Sequence, residues 1–115
     1  MPEEYWFDEG CYITELWNTE SDESVSVARA RVLPGQTTRW HQLNDITERY
    51  VILSGTGLAE VGNHEPQPLY NGDSVSIRAG EKQRIRNTGT DDLVFLAVCT
   101  PRFKTEAYQD LESDE

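Results

Sequence analysis

Hydrophobic and polar residues alternate along this chain in short runs, with glycines or polar turn pairs between them. The runs cover residues 11–17, 25–33, 37–43, 48–54, 58–61, 74–77, 83–87 and 93–100, and they are rich in Val, Ile, Leu, Tyr and Thr. A period near two is the mark of strands whose side chains alternate between two faces. Between the runs stand Pro34-Gly35, Asn44-Asp45, Gly62-Asn63, Asn71-Gly72 and Arg78-Ala79-Gly80, each with the chemistry of a tight turn. Short strands at this spacing predict an all-β sandwich or barrel. No segment of helical period and useful length precedes residue 104, and residues 104–111 are read as a short helix. There is no internal repeat and no linker.

The alternation also assigns faces. Thr37, Arg39, His41 and Leu43 share one face of their strand, and Glu48, Tyr50 and Ile52 share one face of the next. Asn44-Asp45 predicts that these two strands form a hairpin, which would put His41 and Glu48 on the same side. Gln83, Ile85 and Asn87 share a third face, with Arg84 and Arg86 behind them. Val51 and Leu53 are apolar on the outward face of 48–54, and 93–99 is apolar on both faces. A sheet covered on one side only would be polar there. A terminal strand or a second subunit is therefore expected to cover those positions, and a homodimer is the expected state.

Charge and composition narrow the partners. The chain has 115 residues, one domain's worth, and a net charge of -11. Residues 1–23 carry eight acids and no base, residues 105–115 five acids and no base, and residues 24–104 eight acids against ten bases. Such a field argues against nucleic acid and anionic membranes, but leaves room for a small anionic ligand in the basic middle. No apolar run approaches the ~18 residues of a membrane span, and the start of the chain lacks the basic and apolar parts of a secretory signal. Cys11 and Cys99 are too few for a disulfide framework and are read as buried thiols in a reducing cytoplasm.

Two motifs carry the chemistry. Gly35, His41, Leu43, Glu48 and Gly55 give the spacing G-x5-H-x-L-x4-E-x6-G, and Gly72, Gly80, Gln83 and Asn87 give G-x7-G-x2-Q-x3-N. This resembles the paired signature of the cupin superfamily, G-x5-H-x-H-x3,4-E-x6-G and G-x5-P-x-G-x2-H-x3-N. Leu43 stands where the second histidine would be, Gln83 where the third would be, and Arg78 in place of the proline. The stretches 48–55 and 83–89 look like cupins often compared with mannose-6-phosphate isomerase. The resemblance implies a double-stranded β-helix, or jelly-roll barrel, over residues 10–103, with an acidic extension at 1–9 and an acidic tail at 104–115.

The resemblance also implies a degenerate divalent-metal site. His41, Glu48 and Gln83 would hold zinc, manganese, iron or nickel weakly, or hold none, since Leu43 offers no donor and an amide oxygen is a weak one. His41 and Glu48 would equally serve as a hydrogen-bonded pair, or as the catalytic pair of a metal-free site. Arg39, Leu43, Tyr50 and Gln83 would face the ligand. Arg39 would clamp an anion with its planar fork or form a salt bridge to an acid. His64 falls in a turn, and Trp6, Trp17 and Trp40 read as core or interface residues. The expected function is binding of a small polar or anionic molecule, sugar-like or carboxylate-like. The alternative is a metal-dependent isomerase or oxygenase of that superfamily.

Overall fold

The computed structural model describes residues 2–112; Met1 and residues 113–115, the end of the expected acidic tail, lie outside the described residues. The strands are β1 (Glu4–Phe7), β2 (Cys11–Trp17), β3 (Ser26–Val32), β4 (His41–Leu43), β5 (Thr47–Ser54), β6 (Gly57–Val61), β7 (Gln67–Leu69), β8 (Ser74–Ile77), β9 (Gln83–Asn87), β10 (Leu93–Thr100) and β11 (Tyr108–Asp110). They form two antiparallel sheets, ordered β1-β2-β3-β10-β5-β8 and β11-β4-β9-β6-β7. The inner faces close on one core that includes Val32, Ile52, Leu69, Ile77, Ile85, Leu93 and Phe95. Burying each of these side chains stabilises the fold by roughly 1.5–3 kcal/mol. This is an all-β jelly-roll barrel, as the alternation and the motif resemblance led us to expect.

Two motif residues hold the scaffold. Asn87 donates to the carbonyls of Val32 and Asp91, each at 2.8 Å, and accepts from the Gly89 amide at 2.9 Å. It thereby ties β9 to β3 and to the turn before β10. Gly55 has φ +86, and a Cβ there would lie 2.7 Å from the Asp92 carbonyl oxygen. Only glycine lets the end of β5 pass so close to the start of β10.

The structure corrects three expectations. Asn44-Asp45 does not close a hairpin. Asp45, at φ 64, turns the chain from one sheet to the other, since β4 pairs with β9 and β11 while β5 pairs with β10 and β8. His41 and Glu48 therefore approach from opposite sheets. Next, residues 37–40 are not a continuous strand. Thr38 bonds to Ile85, the Arg39 amide donates to Glu9, and the Trp40 carbonyl accepts from Leu111, so this backbone is divided among three neighbours. Last, residues 104–111 are not a helix. A single 3-10 turn, Thr105–Ala107, leads into β11, which pairs with β4. So short a helix is marginal in water, whereas the open edge of β4 supplies a ladder and places Tyr108 against His41 and Phe7.

β1 extends the larger sheet at its edge, separated from β10 by β2 and β3. It does not lie over the outward residues Val51, Val94, Leu96 and Val98, which are half-buried, or over Leu53, which is 42 % exposed. Among the described residues no helix is long and apolar enough to cross a membrane.

Candidate functional site

The inner face of the larger sheet does not pack fully against its partner. It leaves a cavity of about 300 Å³ near the chain termini. Strands β1, β2, β3, β5 and β10 supply its walls, and Phe103 and Thr105 close one side. Its polar lining includes three carboxyls, from Glu9, Glu15 and Glu48, with Tyr5, Asn18, Tyr50, Cys99 and Thr105. Tyr5 and Glu15 meet at the rim, hydroxyl to carboxylate, at 3.4 Å.

Glu9 was not among the residues singled out from sequence. It sits in the turn between β1 and β2, where the Gly10 amide donates to Phe7 at 2.9 Å and the Arg39 amide donates to the Glu9 carbonyl at 2.7 Å. Gly10, at φ +108, lets this turn pass beside Thr37 and Thr38. The Glu9 side chain is thus laid into the barrel, 13 % exposed, with Oε1 3.2 Å from His41 Nε2 and Oε2 3.6 Å from Cys11 Sγ. The only sequence signal was an acid placed directly before the glycine that opens the first predicted strand.

His41 is held on three sides. Its Nδ1 lies 2.6 Å from the Arg39 carbonyl, which fixes Nδ1 as the donor and leaves Nε2 of the neutral ring as the acceptor. Tyr108 stacks on the ring at 5.2 Å. Burial pushes the His41 pKa down, against the Arg39 carbonyl and the nearby acids, which push it up. Burial pushes Glu9 up to about 7, with the Cys11 thiol acting the other way. Both directions favour a neutral pair in which the Glu9 carboxylic acid donates to His41 Nε2.

Glu48 faces the same cavity from β5. Its Oε2 lies 3.7 Å from Cys99 Sγ, and its buried Oε1 has no hydrogen-bond partner among the described residues. Burial, and then the Glu9 carboxyl, push it up to about 7, against His41, Gln83 and Cys99. Tyr50, two residues on, lines the cavity and donates its hydroxyl to Gln83 Oε1 across the two sheets.

The expected site residues therefore divide. Glu48 and Tyr50 reach the cavity wall. His41 and Gln83 each stand behind a wall residue, His41 behind Glu9 and Gln83 behind Tyr50. Leu43 does not line the cavity but packs in a separate cluster with Ile46 and Cys99, flanked by Phe103, Ala107 and Tyr108. Arg39 points away as well. Its guanidinium meets Asp110 at 3.1 Å and so fastens β11 to the barrel, the salt-bridge reading of that residue.

These donors do not fit a divalent metal as arranged. The Gln83 oxygen already accepts from Tyr50, His41 Nε2 faces Glu9 as a hydrogen-bond partner, and position 43 has no donor. Among the described residues no three His, Cys, Asp or Glu side chains are grouped to hold an ion. The polar wall can instead accept hydrogen bonds and pass a proton between Glu9 and His41.

The two-sheet barrel, with a cavity on the inner face of its larger sheet, defines the fold class, and comparison with known proteins agrees on that class. The family model described as Cupin domain matches residues 28–99, more than half of the chain. This protein belongs to the cupin family. A curated relative, the oxalate-binding protein of Thermotoga maritima, is 38 % identical over 71 residues, which are 62 % of this chain and 58 % of that one. The match thus spans less than two thirds of the relative. The solved structure of a predicted oxalate decarboxylase from Thermotoga maritima superposes with a TM-score of 0.75 at 30 % identity, covering 87 % of this chain and 91 % of that chain. A variant of Streptomyces PAC13 with uridine superposes with a TM-score of 0.81 at 18 % identity, covering 96 % of this chain and 85 % of that chain. That likeness speaks for the fold alone.

Proposed function

We propose that this cupin binds a small, hydrogen-bond-donating molecule in the cavity between Glu9 and Glu48. The observation that supports this reading is Glu48 Oε1, a buried acceptor on the cavity wall with no partner among the described residues. Buried polar atoms are nearly always satisfied, and a ligand hydroxyl or N–H at this position would satisfy this one. The motif metal set has no part in this reading. Glu9 and His41 supply a proton-exchanging pair beside the ligand, which gives the site its capacity for acid–base chemistry.

A titration of small polar compounds, followed by amide chemical shifts, tests it. Cavity ligands should move the amides of Ala30, Phe95 and Ala97, and Ala97→Leu should weaken every one of them by filling the space. Shifts confined to other surfaces, or binding untouched by Ala97→Leu, would sink the proposal.

The relative named for oxalate favours a second reading, a carboxylate ligand. A dianion would meet three carboxyls here, so its binding should strengthen as pH falls through about 7 and Glu9 and Glu48 take up protons. Oxalate affinity that is flat with pH would remove this reading.

We further propose that the protein pairs with a second copy through the outward faces of β5 and β10, where Val51, Leu53, Val94, Leu96 and Val98 lie. A specific contact would bury on the order of 1,600 Å². Light scattering that reports a monomer at high micromolar concentration would refute it.

A further inference from the structure

The ionisable groups on the cavity lining are all acids. Glu9, Glu15 and Glu48 face it, and no Lys, Arg or His is among the described residues that line it. Aromatic rings make up much of the remaining wall, with Phe7 and Phe103 edge to face at 6.4 Å on one side and Tyr50 and Phe95 at 4.6 Å on the other. The bases that flank lining residues in sequence, Arg29, Arg31, Arg49, Arg102 and Lys104, are not themselves part of the lining. Arg102 and Lys104 both meet Glu23, at 3.1 and 3.3 Å, and Arg39 meets Asp110.

We propose that the cavity's ligand is a small protonated amine with an apolar body. This rests on the cavity being the ligand site and adds the charge of what it takes. Each wall component suits such a cation. The faces of aromatic rings carry negative potential and attract a cation placed over them, and their hydrocarbon receives the apolar body. An ammonium group brings only donors, which matches carboxyl acceptors and in particular the unpartnered Glu48 Oε1. An amine buried beside carboxylates avoids the cost of an isolated buried charge. An anion would find no guanidinium or ammonium on this wall. A bare divalent ion would be too small for a space of about 300 Å³ walled by rings.

The approach to the site has the same sign. Strands β1 and β2 and the Glu9 turn lie within residues 1–23, which hold eight acids and no base. That segment forms one wall and part of the rim, so its field steers cations inward.

Three probes of one shape separate charge from shape: phenylethylamine, phenylethanol and phenylacetate. Each is titrated into the full chain while the amides of Ala30, Phe95 and Ala97 are followed. Phenylethylamine should bind about tenfold or more tighter than phenylethanol, and phenylacetate weakest. Added salt should weaken the amine and leave the alcohol's affinity nearly constant. Glu48→Gln keeps the shape of the side chain and removes its charge, so it should shrink the amine's advantage to about threefold or less. Phenylethanol or phenylacetate binding at least as tightly as the amine at those amides would overturn the amine proposal and leave the cavity reading standing. An amine advantage that ignores both salt and Glu48→Gln would overturn it too. If no probe moves those amides, and no compound of the wider titration does, both readings fall.

Discussion

Glu9 and Glu48 face one cavity from different regions of the molecule. Glu48 belongs to a motif strand, β5, which lies between β10 and the edge strand β8 of the larger sheet, and Glu9 to a turn in the acidic N-terminal segment. Each has a buried thiol near one oxygen, Cys99 at 3.7 Å and Cys11 at 3.6 Å, and each is pushed up to about 7 by burial. They differ in the second oxygen. Glu9 Oε1 meets His41, while Glu48 Oε1 has no hydrogen-bond partner among the described residues. The same carboxyl group thus serves two ends. One completes an internal pair with His41, and the other keeps an acceptor that the proposed ligand would use.

The largest effect should appear in the pH dependence of stability. A carboxyl whose folded pKa is raised contributes stability that is present in full below its unfolded value and is lost as pH rises through the folded one. For Glu9 and Glu48 that window runs from the ordinary 4.5 up to about 7. His41 acts oppositely, since a depressed imidazole pKa costs stability as pH falls below its ordinary 6.5. Two carboxyls outweigh one imidazole, so the protein should be more stable near pH 5.5 than near pH 8, by an amount on the order of a few kcal/mol. Urea unfolding at the two pH values measures this, and Glu9→Gln and Glu48→Gln should each reduce the difference. An unchanged difference in both variants would show that other groups set it.

Replacing each carboxyl in turn separates the two roles. Glu9→Leu strips the partner from buried His41 Nε2 and should cost roughly 1–3 kcal/mol. Glu48→Leu removes one oxygen that has no partner and one whose contact is the Cys99 thiol at 3.7 Å, so it should leave stability nearly equal while binding of the proposed ligand is lost. Equal losses of stability in the two variants would break the comparison.

A similar contrast applies to the motif positions. Leu43→His places an imidazole among Ile46, Cys99 and Tyr108, behind the cavity wall rather than on it. It should cost roughly 1–3 kcal/mol and bring no gain in zinc or manganese affinity by calorimetry. A clear gain in metal affinity would show that positions 41, 43 and 48 converge after all.

The smallest effect should come from Arg39→Ala. Its bridge to Asp110 is about a quarter exposed on the arginine side, so about 1 kcal/mol or less should be lost. Cavity ligands should bind as before. A large loss of ligand affinity would return Arg39 to the site.

Much of the scaffold could be read from the sequence. Alternation located all the predicted runs that became strands, and 74–77, 83–87 and 93–100 match their strands end to end. Parity placed Glu48, Tyr50 and Ile52 inward, because successive side chains must point to opposite faces. The motif positions Gly55 and Asn87 proved to be structural, through a close backbone approach and three hydrogen bonds. Strands β1, β7 and β11 carried weaker signals. They are edge strands of three or four residues, and each exists because a neighbour offers an unpaired ladder rather than because of its own pattern.

Only the tertiary structure decided what opposes what. Periodicity fixes a face within one strand, yet it carries no information about which distant segment will meet that face. His41 and Arg39 lie two residues apart and were read as sharing a face. A backbone divided among Ile85, Glu9 and Leu111 turned one toward the interior and the other toward Asp110. Glu9 became the partner of His41 across 32 positions of sequence because the turn at Gly10 and the Arg39 amide hold it there. Local pattern determined the central strands, and long-range hydrogen bonds between termini and barrel determined the short edge strands and the geometry around His41.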